Sequence, residues 1–235
     1  MNVVSIMAHQ DDEMRCLGTM LKCRERGDRL TFITLTDGSN GLLERASMQR
    51  GDAARVREAE MTRLAQAVDA RYVSLGEHDE FLYDTPDVRM RLIEAMRAAG
   101  AELIFTHYHE DYNLDHVTTH RLVQQCAMQS CLPMLATDAP PLADHPAVFC
   151  VEPHGPVVFA ATHFVDISVF EARKVELLRH HESQEAAMQQ AVGAGFDDLC
   201  GRPDAYWGQK VGCDYAECFV AMAARGAVKP FAVLP

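Results

Sequence analysis

The feature that most constrains this chain is an alternation of short apolar runs with segments of helical periodicity. Residues 2–9 (NVVSIMAH) form a nearly continuous apolar run of strand length, which is typical of a buried parallel strand. Residues 14–21 then carry apolar side chains at helical spacing, and residues 30–36 (LTFITLT) form a second run rich in β-branched residues. The sequence therefore predicts a β-α-β unit at its start.

The same alternation continues and predicts an α/β fold. Further expected elements are helices at about 52–68, 87–98 and 116–128, and strands at 72–75, 103–107, 147–151 and 164–167. Beyond them we predict a long helix from 169 to about 190 and a loop-like stretch from 193 to 212. Helices that connect parallel strands cover both faces of the sheet. We therefore expect a mostly parallel sheet with helices on both faces, in a single domain spanning residues 1–235.

Charge and hydropathy narrow the expected partners. Lys and Arg total 22 against 34 Asp and Glu, which gives a formal net charge of -12. A field of this sign repels phosphate backbones and anionic lipids, so we expect neither nucleic acid nor a membrane as partner. No apolar stretch approaches the roughly 18 residues that span a bilayer, and the first residues lack a signal-peptide pattern. We expect a cytoplasmic protein with a small-molecule substrate, and the sequence leaves a homo-oligomer open.

The eight cysteines do not show CxxC or paired-knuckle spacing. Free cysteine is among the residues most often buried, so we expect these side chains to serve as small core residues. A metal site therefore has to be sought among histidines and carboxylates.

Polar clusters follow three of the predicted strands at their carboxyl ends. Residues 9–13 (HQDDE) follow the first strand, residues 37–41 (DGSNG) the second and residues 107–116 (HYHEDYNLDH) the fourth. Ligands of open α/β sheets bind beyond the carboxyl ends of the strands. We therefore expect imidazoles and carboxylates to meet at one edge of the sheet.

The composition of these clusters suits a catalytic zinc ion, which needs about three nitrogen or oxygen ligands and a position for water. His9 and Asp12 are three residues apart at a strand-to-helix turn, and His116 would come from a neighbouring strand end. Asp11 would project differently from Asp12 and is our candidate general base for an activated water. Helix capping by Asp11 or Asp12, and a loop or capping role for His116, are the structural alternatives.

Two of the clusters resemble the signatures of a known family. Residues 8–13 (AHQDDE) resemble the AHPDDE signature of the PIG-L (LmbE-like) zinc N-deacetylases, and residues 111–116 (DYNLDH) resemble their second motif, which ends in Asp-His. Weaker likeness follows in order at residues 36–38, 57–60, 165–168, 181–184 and 215–217. The resemblance implies a Rossmann-like fold and hydrolytic removal of an acyl group from an amine, usually on an acetylated amino sugar.

The resemblance also implies roles for individual residues. His9, Asp12 and His116 become zinc ligands, although another divalent transition metal accepts a similar set, and Asp11 becomes the base. The resemblance further implies that Arg57 holds substrate oxygens or a carboxylate. An ordinary helix pair between Arg57 and Glu60 is the alternative.

Two further carboxylates are candidates for the substrate site. Asp37 lies in the DGSNG cluster, a composition that also describes an ordinary turn. Asp115 either contributes to this site or orients a metal-binding histidine, with solvent exposure as its alternative.

The chain departs from the family pattern at two positions. Gln10 stands where the signature usually has Pro, which we expect to alter the rigidity of the turn more than the chemistry. Asn113 stands where many members carry a histidine that supports the oxyanion or protonates the leaving amine. An asparagine donates a neutral hydrogen bond but delivers no proton. We therefore predict that protonated Asp11 returns the proton to the amine, with His107 and His109 as alternatives.

The sequence thus favours a zinc-dependent hydrolase that removes an N-acetyl group from a small polar substrate, such as an N-acetylated amino sugar or a sugar-containing metabolite. An amidase that cleaves a larger acyl-amine or a thiol-conjugate amide is the second interpretation. A non-catalytic sugar-binding protein of the same fold is the third. A magnesium-binding receiver domain fits poorly, because such a domain is much shorter and His9 is a poor ligand for a hard cation.

Overall fold

The structure is a computed structural model that describes residues 1–42 and 48–222. Its strands form one sheet in the order β3-β2-β1-β4-β5-β7-β6. Strands β1 to β5 pair in parallel, whereas β7 is antiparallel to both of its neighbours. The strands are β1 (Asn2–Met7), β2 (Arg29–Thr36), β3 (Arg71–Glu77), β4 (Leu103–Thr106), β5 (Ala147–Val151), β6 (His163–Asp166) and β7 (Ala216–Ala221).

Helices cover both faces of this sheet, which confirms the predicted Rossmann-like α/β fold. The side chains of β1 alternate between the faces, with Val3 and Met7 in one core and Val4 and Ile6 in the other. Helices α1, α2, α5 and α7 pack on the first face and helices α3 and α4 on the second. The helices are α1 (Leu17–Glu25), α2 (Arg50–Ala67), α3 (Pro86–Ala99), α4 (Leu114–Gln129), α5 (Glu171–Leu178), α6 (Glu182–Val192) and α7 (Phe196–Val211).

The strand order places a topological switch point between β1 and β4. From β1 the chain proceeds to β2 and β3 on one side, and then returns to β4 and β5 on the other. At such a point the loops that follow the two central strands diverge and leave a crevice at the carboxyl edge. Both motif-bearing segments, after β1 and after β4, lead into this crevice.

The predicted long helix over 169–190 is wrong, because the chain forms two helices, α5 and α6, with a break between them. The break lies at His181, whose backbone ψ of 60° is outside the helical range. The side chain of His181 is fully buried, and its Nε2 lies 2.7 Å from Oε1 of Glu13. This buried contact turns the chain where the apolar periodicity alone would continue one helix.

The predicted loop over 193–212 is also wrong, because residues 196–211 form helix α7 with Pro203 in its interior. Glycines and a proline gave this stretch the composition of a loop, but burial of Phe196 and Cys200 on the sheet stabilises the helix. Proline has no N–H, so the carbonyl of Leu199 loses its usual helical donor. That carbonyl accepts a hydrogen bond from Nη1 of Arg15 instead, at 3.4 Å.

Within the described residues, no helix combines the length and the apolar character that a membrane span requires.

Candidate metal centre and active-site cavity

The turn that follows β1 separates the two aspartates of the first motif. Asp11 has a φ of 108°, a conformation that costs a residue other than glycine about 1–3 kcal/mol. Two hydrogen bonds hold the turn: the amide of His9 donates to Oδ2 of Asp12 at 2.7 Å, and the amide of Asp11 donates to Oε2 of Glu13 at 3.0 Å. A 3₁₀ turn over Asp12–Arg15 then leads into α1.

Three side chains of the two motifs converge at one point. Nδ1 of His9 lies 3.2 Å from Nε2 of His116 and 3.3 Å from Oδ2 of Asp12, and the His116 nitrogen lies 3.4 Å from Oδ1 of Asp12. A tetrahedral zinc ion with bonds of 2.0–2.1 Å separates its ligands by about 3.3 Å. The spacing and the donor set of two imidazoles and one carboxylate therefore fit a zinc-type metal ion.

Carboxylates lie behind both histidine rings, close to their outer nitrogens. On the far side of the His9 ring, Nε2 lies 3.0 Å from Oδ1 of Asp79 and 3.5 Å from Oδ2 of Asp115. Nδ1 of His116 lies 3.0 Å from Oδ2 of Asp111. A carboxylate at the outer nitrogen of a metal-binding histidine fixes the tautomer and makes the inner nitrogen a better ligand.

The charges of this cluster favour a cation. Burial lowers the pKa of His116, but Asp12 and Asp111 raise it more, and the result is a pKa of about 9. Burial raises the pKa of Asp12, yet His116 and His107 together hold that pKa well below its ordinary value. Protons and metal ions compete for the same lone pairs, so a cluster that attracts protons in this way could also hold a divalent cation.

Asp11 faces a buried guanidinium. Nη2 of Arg57 lies 2.8 Å from Oδ1 of Asp11 and also donates to the carbonyl of Gln10. Burial raises the pKa of Asp11 and Arg57 lowers it, with a net rise. Within the described residues, the buried Nε and Nη1 of Arg57 have no hydrogen-bond partner, and Nη1 lies 3.9 Å from Oε2 of Glu60, so the helix pair considered from the sequence is present at the long end of an ion-pair distance.

These groups line one cavity of about 290 Å³, just below the range of about 300–1,000 Å³ for small-molecule sites. Its wall combines the three candidate ligand residues and Asp11 with polar side chains from several loops. Besides His9, Asp11, Asp12 and His116, the wall contains Met14, Gly38, Asn40, Gly41, Arg57, Asp79, Glu80, Tyr112, Asn113, His154, Gln184, Met188 and Leu199.

The two other carboxylates proposed for the substrate site lie outside this wall. Asp37 accepts from the amide of Ser39 at 3.1 Å and pairs with Arg50. Asp115 is buried behind His9 and accepts from the amides of Glu80 and Leu82 at 2.7 and 3.1 Å. Both carboxylates therefore hold loops and have their oxygens engaged by the protein.

Asn113 does line the cavity, but both ends of its amide are engaged. Its Oδ1 accepts from the amide of Asp115 at 2.7 Å and thereby caps α4, while its Nδ2 donates to Oε1 of Glu80 at 3.3 Å. The two histidines considered as replacements are not part of the wall. His107 is buried and stacks on His116 with ring centroids 3.9 Å apart, and His109 is half exposed.

Our sequence analysis missed three residues at this edge. Asp79 lies just beyond β3, and His154 lies just beyond β5, so the rule that drew attention to the other strand ends would have found both. Asp111 was part of the second motif, but no role was given to it. Its contact with His116 depends on the turn between β4 and α4, which spacing alone does not show.

A family model described as "PIG-L: GlcNAc-PI de-N-acetylase" matches residues 4–127, which include both motifs. The chain belongs to the PIG-L family. A comparison with curated proteins gave no match.

Solved structures share the fold of this PIG-L protein over nearly its whole length. N,N'-diacetylchitobiose deacetylase from Pyrococcus horikoshii has 21% identity and a TM-score of 0.80, with 94% of this chain and 83% of that chain covered. Conserved protein TT1542 from Thermus thermophilus has 24% identity and a TM-score of 0.79, with 97% of each chain covered. GalB, the 4-carboxy-2-hydroxymuconate hydratase from Pseudomonas putida KT2440, has 20% identity and a TM-score of 0.80, with 98% of this chain and 100% of that chain covered. At these identities the likeness concerns the fold.

Proposed function

We propose that this protein is a zinc-dependent N-deacetylase that acts on a small polar substrate, such as an N-acetylated amino sugar. The observation that carries the proposal is the convergence of His9, Asp12 and His116 at 3.2–3.4 Å on the wall of a cavity that also contains Asp11. Membership of the PIG-L family supports the same reaction class.

His9, Asp12 and His116 would hold the metal ion. Bound zinc supplies Lewis acidity, which lowers the pKa of water and polarises an amide carbonyl. Asp79 and Asp111 keep the two imidazoles in the tautomers that present Nδ1 of His9 and Nε2 of His116 to the ion.

Asp11 is the proposed general base. It takes a proton from the attacking water while the water oxygen bonds to the acyl carbon, and it returns that proton to the amine nitrogen as the C–N bond breaks. The products are a carboxylic acid and a free amine, so atoms and protons balance. The rise in the pKa of Asp11 suits both steps, because a shift toward the operating pH helps a carboxyl group both to accept a proton and to return it.

The wall of the cavity supports a neutral polyhydroxylated substrate. Hydroxyl groups donate and accept hydrogen bonds, and the wall carries polar side chains that do the same, among them Glu80, Arg57 and Gln184. The net charge of -12 disfavours a strongly anionic substrate. The cavity volume suits one sugar unit or one end of a longer molecule.

Metal analysis combined with an acetate-release screen over N-acetyl sugars tests the proposal. We expect about one zinc per chain and release of acetate from at least one sugar. His116→Ala should lose both metal and activity. Asp11→Asn should keep the metal and lose about 10²–10⁴-fold in rate, the usual contribution of a general base. Asp138→Asn, an exposed carboxylate on another loop, is the matched control and should match the wild type.

Three results would redirect the assignment. Release of a larger acyl acid without acetate would indicate an amidase for larger acyl-amines or thiol conjugates. Sugar binding by a protein that holds no metal would indicate a non-catalytic binding protein. A near-normal rate in Asp11→Asn would remove Asp11 from the reaction.

A further inference from the structure

His154 is a histidine in the cavity wall to which the proposed reaction gives no role. It lies in the loop after β5, three residues beyond the end of that strand, and its side chain is partly buried. The loop after β4 supplies Asn113 where many family members carry a histidine, and the amide of Asn113 is engaged at both ends. His154 thus brings an imidazole to the same cavity from a different strand.

A neighbouring guanidinium determines which nitrogen of His154 carries hydrogen. Nη2 of Arg15 lies 3.0 Å from Nδ1 of His154. Arginine has only donors, so Nδ1 must offer its lone pair. In the neutral ring the hydrogen then resides on Nε2, and within the described part of the chain Nε2 makes no hydrogen bond. The cavity wall therefore holds an N–H donor in a defined tautomer.

Arg15 is itself fixed by the interior proline of α7. It ends the 3₁₀ turn that begins at Asp12, and its Nη1 donates to the carbonyl of Leu199 at 3.4 Å. This carbonyl lies four residues before Pro203 and so lacks the helical N–H that would otherwise bond to it. Pro203 thereby creates the acceptor that holds Arg15 beside His154.

The surroundings of His154 keep its ring neutral. Burial lowers its pKa most, and the positive charges of Arg15 and His116 lower it further. Asp12 and Asp111 act in the opposite direction, and the resulting pKa is about 3. At neutral pH the ring therefore serves as a hydrogen-bond donor and not as a proton donor. A neutral imidazole donor at a substrate carbonyl is an established catalytic device.

We propose that His154 is a catalytic residue that donates its Nε2–H to the acyl oxygen of the bound amide, and that Arg15 is the positioning residue that fixes its tautomer. This inference rests on the proposed deacetylase function. The donor stabilises negative charge as it develops on the acyl oxygen, so its contribution falls on kcat more than on KM. No proton is transferred, and the proton balance of the reaction remains with Asp11.

Two substitutions of His154 separate a neutral donor from a proton donor. Leucine removes the N–H, whereas glutamine offers an amide N–H near the position of Nε2. We expect His154→Leu to lose about 10²–10³-fold in kcat, as on loss of one oxyanion donor, and His154→Gln to retain most of the activity. His145→Leu, at an exposed histidine on another loop, is the matched control. Zinc content and the thermal midpoint show whether each variant is folded and loaded.

The tautomer is measured independently of turnover. Long-range ¹⁵N–¹H spectra of the resting, zinc-loaded protein should show His154 with a protonated Nε2 and an unprotonated Nδ1, and should show no titration of the ring between pH 5 and 8. His154→Gln assigns the signals by their disappearance. Arg15→Met removes one positive charge and the donor to Nδ1 of His154. The pKa of the His154 ring should therefore rise, and kcat should fall.

Each outcome decides the inference. A wild-type rate in His154→Leu, or a protonated Nδ1 in the resting protein, overturns it. Equal losses in His154→Leu and His154→Gln, with a shifted acidic limb of the pH profile, would make His154 a proton donor and also overturn it. If the wild type hydrolyses no amide, the proposed function fails, whereas a loss confined to His154→Leu in an active protein supports both.

Discussion

Glu13 and His181, which are 168 positions apart, meet through a buried contact of 2.7 Å between Oε1 and Nε2. The other oxygen of Glu13 accepts from the backbone amide of Asp11 at 3.0 Å. One carboxylate therefore ties the break between α5 and α6 to the turn that presents the proposed general base. This link explains how the C-terminal part of the chain supports a site whose motifs all lie nearer the N-terminus.

Removal of this carboxylate should weaken both the fold and the site. Glu13→Ala leaves a buried imidazole and a strained amide without their acceptor, which should reduce the free energy of unfolding by about 1–3 kcal/mol. It should also reduce kcat, because the backbone amide of Asp11 loses its hydrogen bond. Urea unfolding and steady-state kinetics measure the two effects. Glu182→Ala removes an exposed neighbouring carboxylate and should change neither; an equal effect of both variants would contradict this role.

Gly38 is required for space as well as for backbone conformation. Its φ is +59°, and a Cβ there would overlap Oε1 of Gln10 and lie 3.0 Å from Nε of Arg57. Gly76 has a similar φ of +65° with open space around it, which makes it a matched control. Gly76→Ala should lose about 1–2 kcal/mol from the left-handed backbone alone.

Gly38→Ala should lose that amount and about 1–3 kcal/mol more from overpacking. Displacement of Arg57 should also raise KM in Gly38→Ala but not in Gly76→Ala. Urea unfolding and substrate-saturation curves give both quantities. Equal stabilities in the two variants would show that Gln10 and Arg57 move aside without cost.

Only two thiols should react rapidly in the folded protein. All eight cysteines are unpaired; Cys131 and Cys213 are partly exposed, and the other six are buried. Burial raises the pKa of Cys126, Cys150 and Cys200 to about 12, so their reactive thiolate is scarce at pH 8. Titration with a disulfide reagent should give two fast equivalents in buffer and eight in denaturant. Rapid modification of more than two would contradict this assignment.

The two motifs allowed a candidate metal centre to be predicted from sequence, and Asp115 was considered as a residue that orients a metal-binding histidine, whereas Asp79 was not considered. His9, Asp12 and His116 lie in segments whose residue types and position at strand ends point to a metal. Asp79 comes from a third strand end, and its contact with His9 depends on strand order, which no spacing in the sequence reveals.

The prediction failed most where local composition and tertiary packing disagree. Residues 193–212 contain glycines and a proline, so they were predicted as a loop, yet burial of an apolar face makes residues 196–211 a helix. The contact of Arg15 with the Leu199 carbonyl depends on that helix. This contact could therefore not be derived from the sequence, even though each residue type is ordinary by itself.

A buried charge cluster outside the cavity wall predicts a pH dependence of stability. Lys174 contacts both Asp204 and Glu217, and Glu217 also accepts from the amides of Gly18 and Thr19 at 2.9 and 2.7 Å. Asp204 has the lysine as its one hydrogen-bond donor among the described residues. Burial and the nearby carboxylates raise the pKa of Asp204 to about 7, although Lys174 lowers it.

Because the folded pKa of Asp204 exceeds the unfolded value of about 3.9, the folded state holds a proton between these limits. Its stabilising contribution is complete below about pH 4 and is lost as the pH rises through 7, with a slope of at most about 1.4 kcal/mol per pH unit. Asp204→Asn should therefore flatten the dependence of unfolding free energy on pH between 5 and 8. Measured against its own value at pH 5, the variant should lose less unfolding free energy by pH 8 than the wild type does. Urea unfolding at several pH values measures this, with Asp138→Asn as the exposed control. Parallel curves for Asp204→Asn and the wild type would show that Asp204 is already ionised at pH 5.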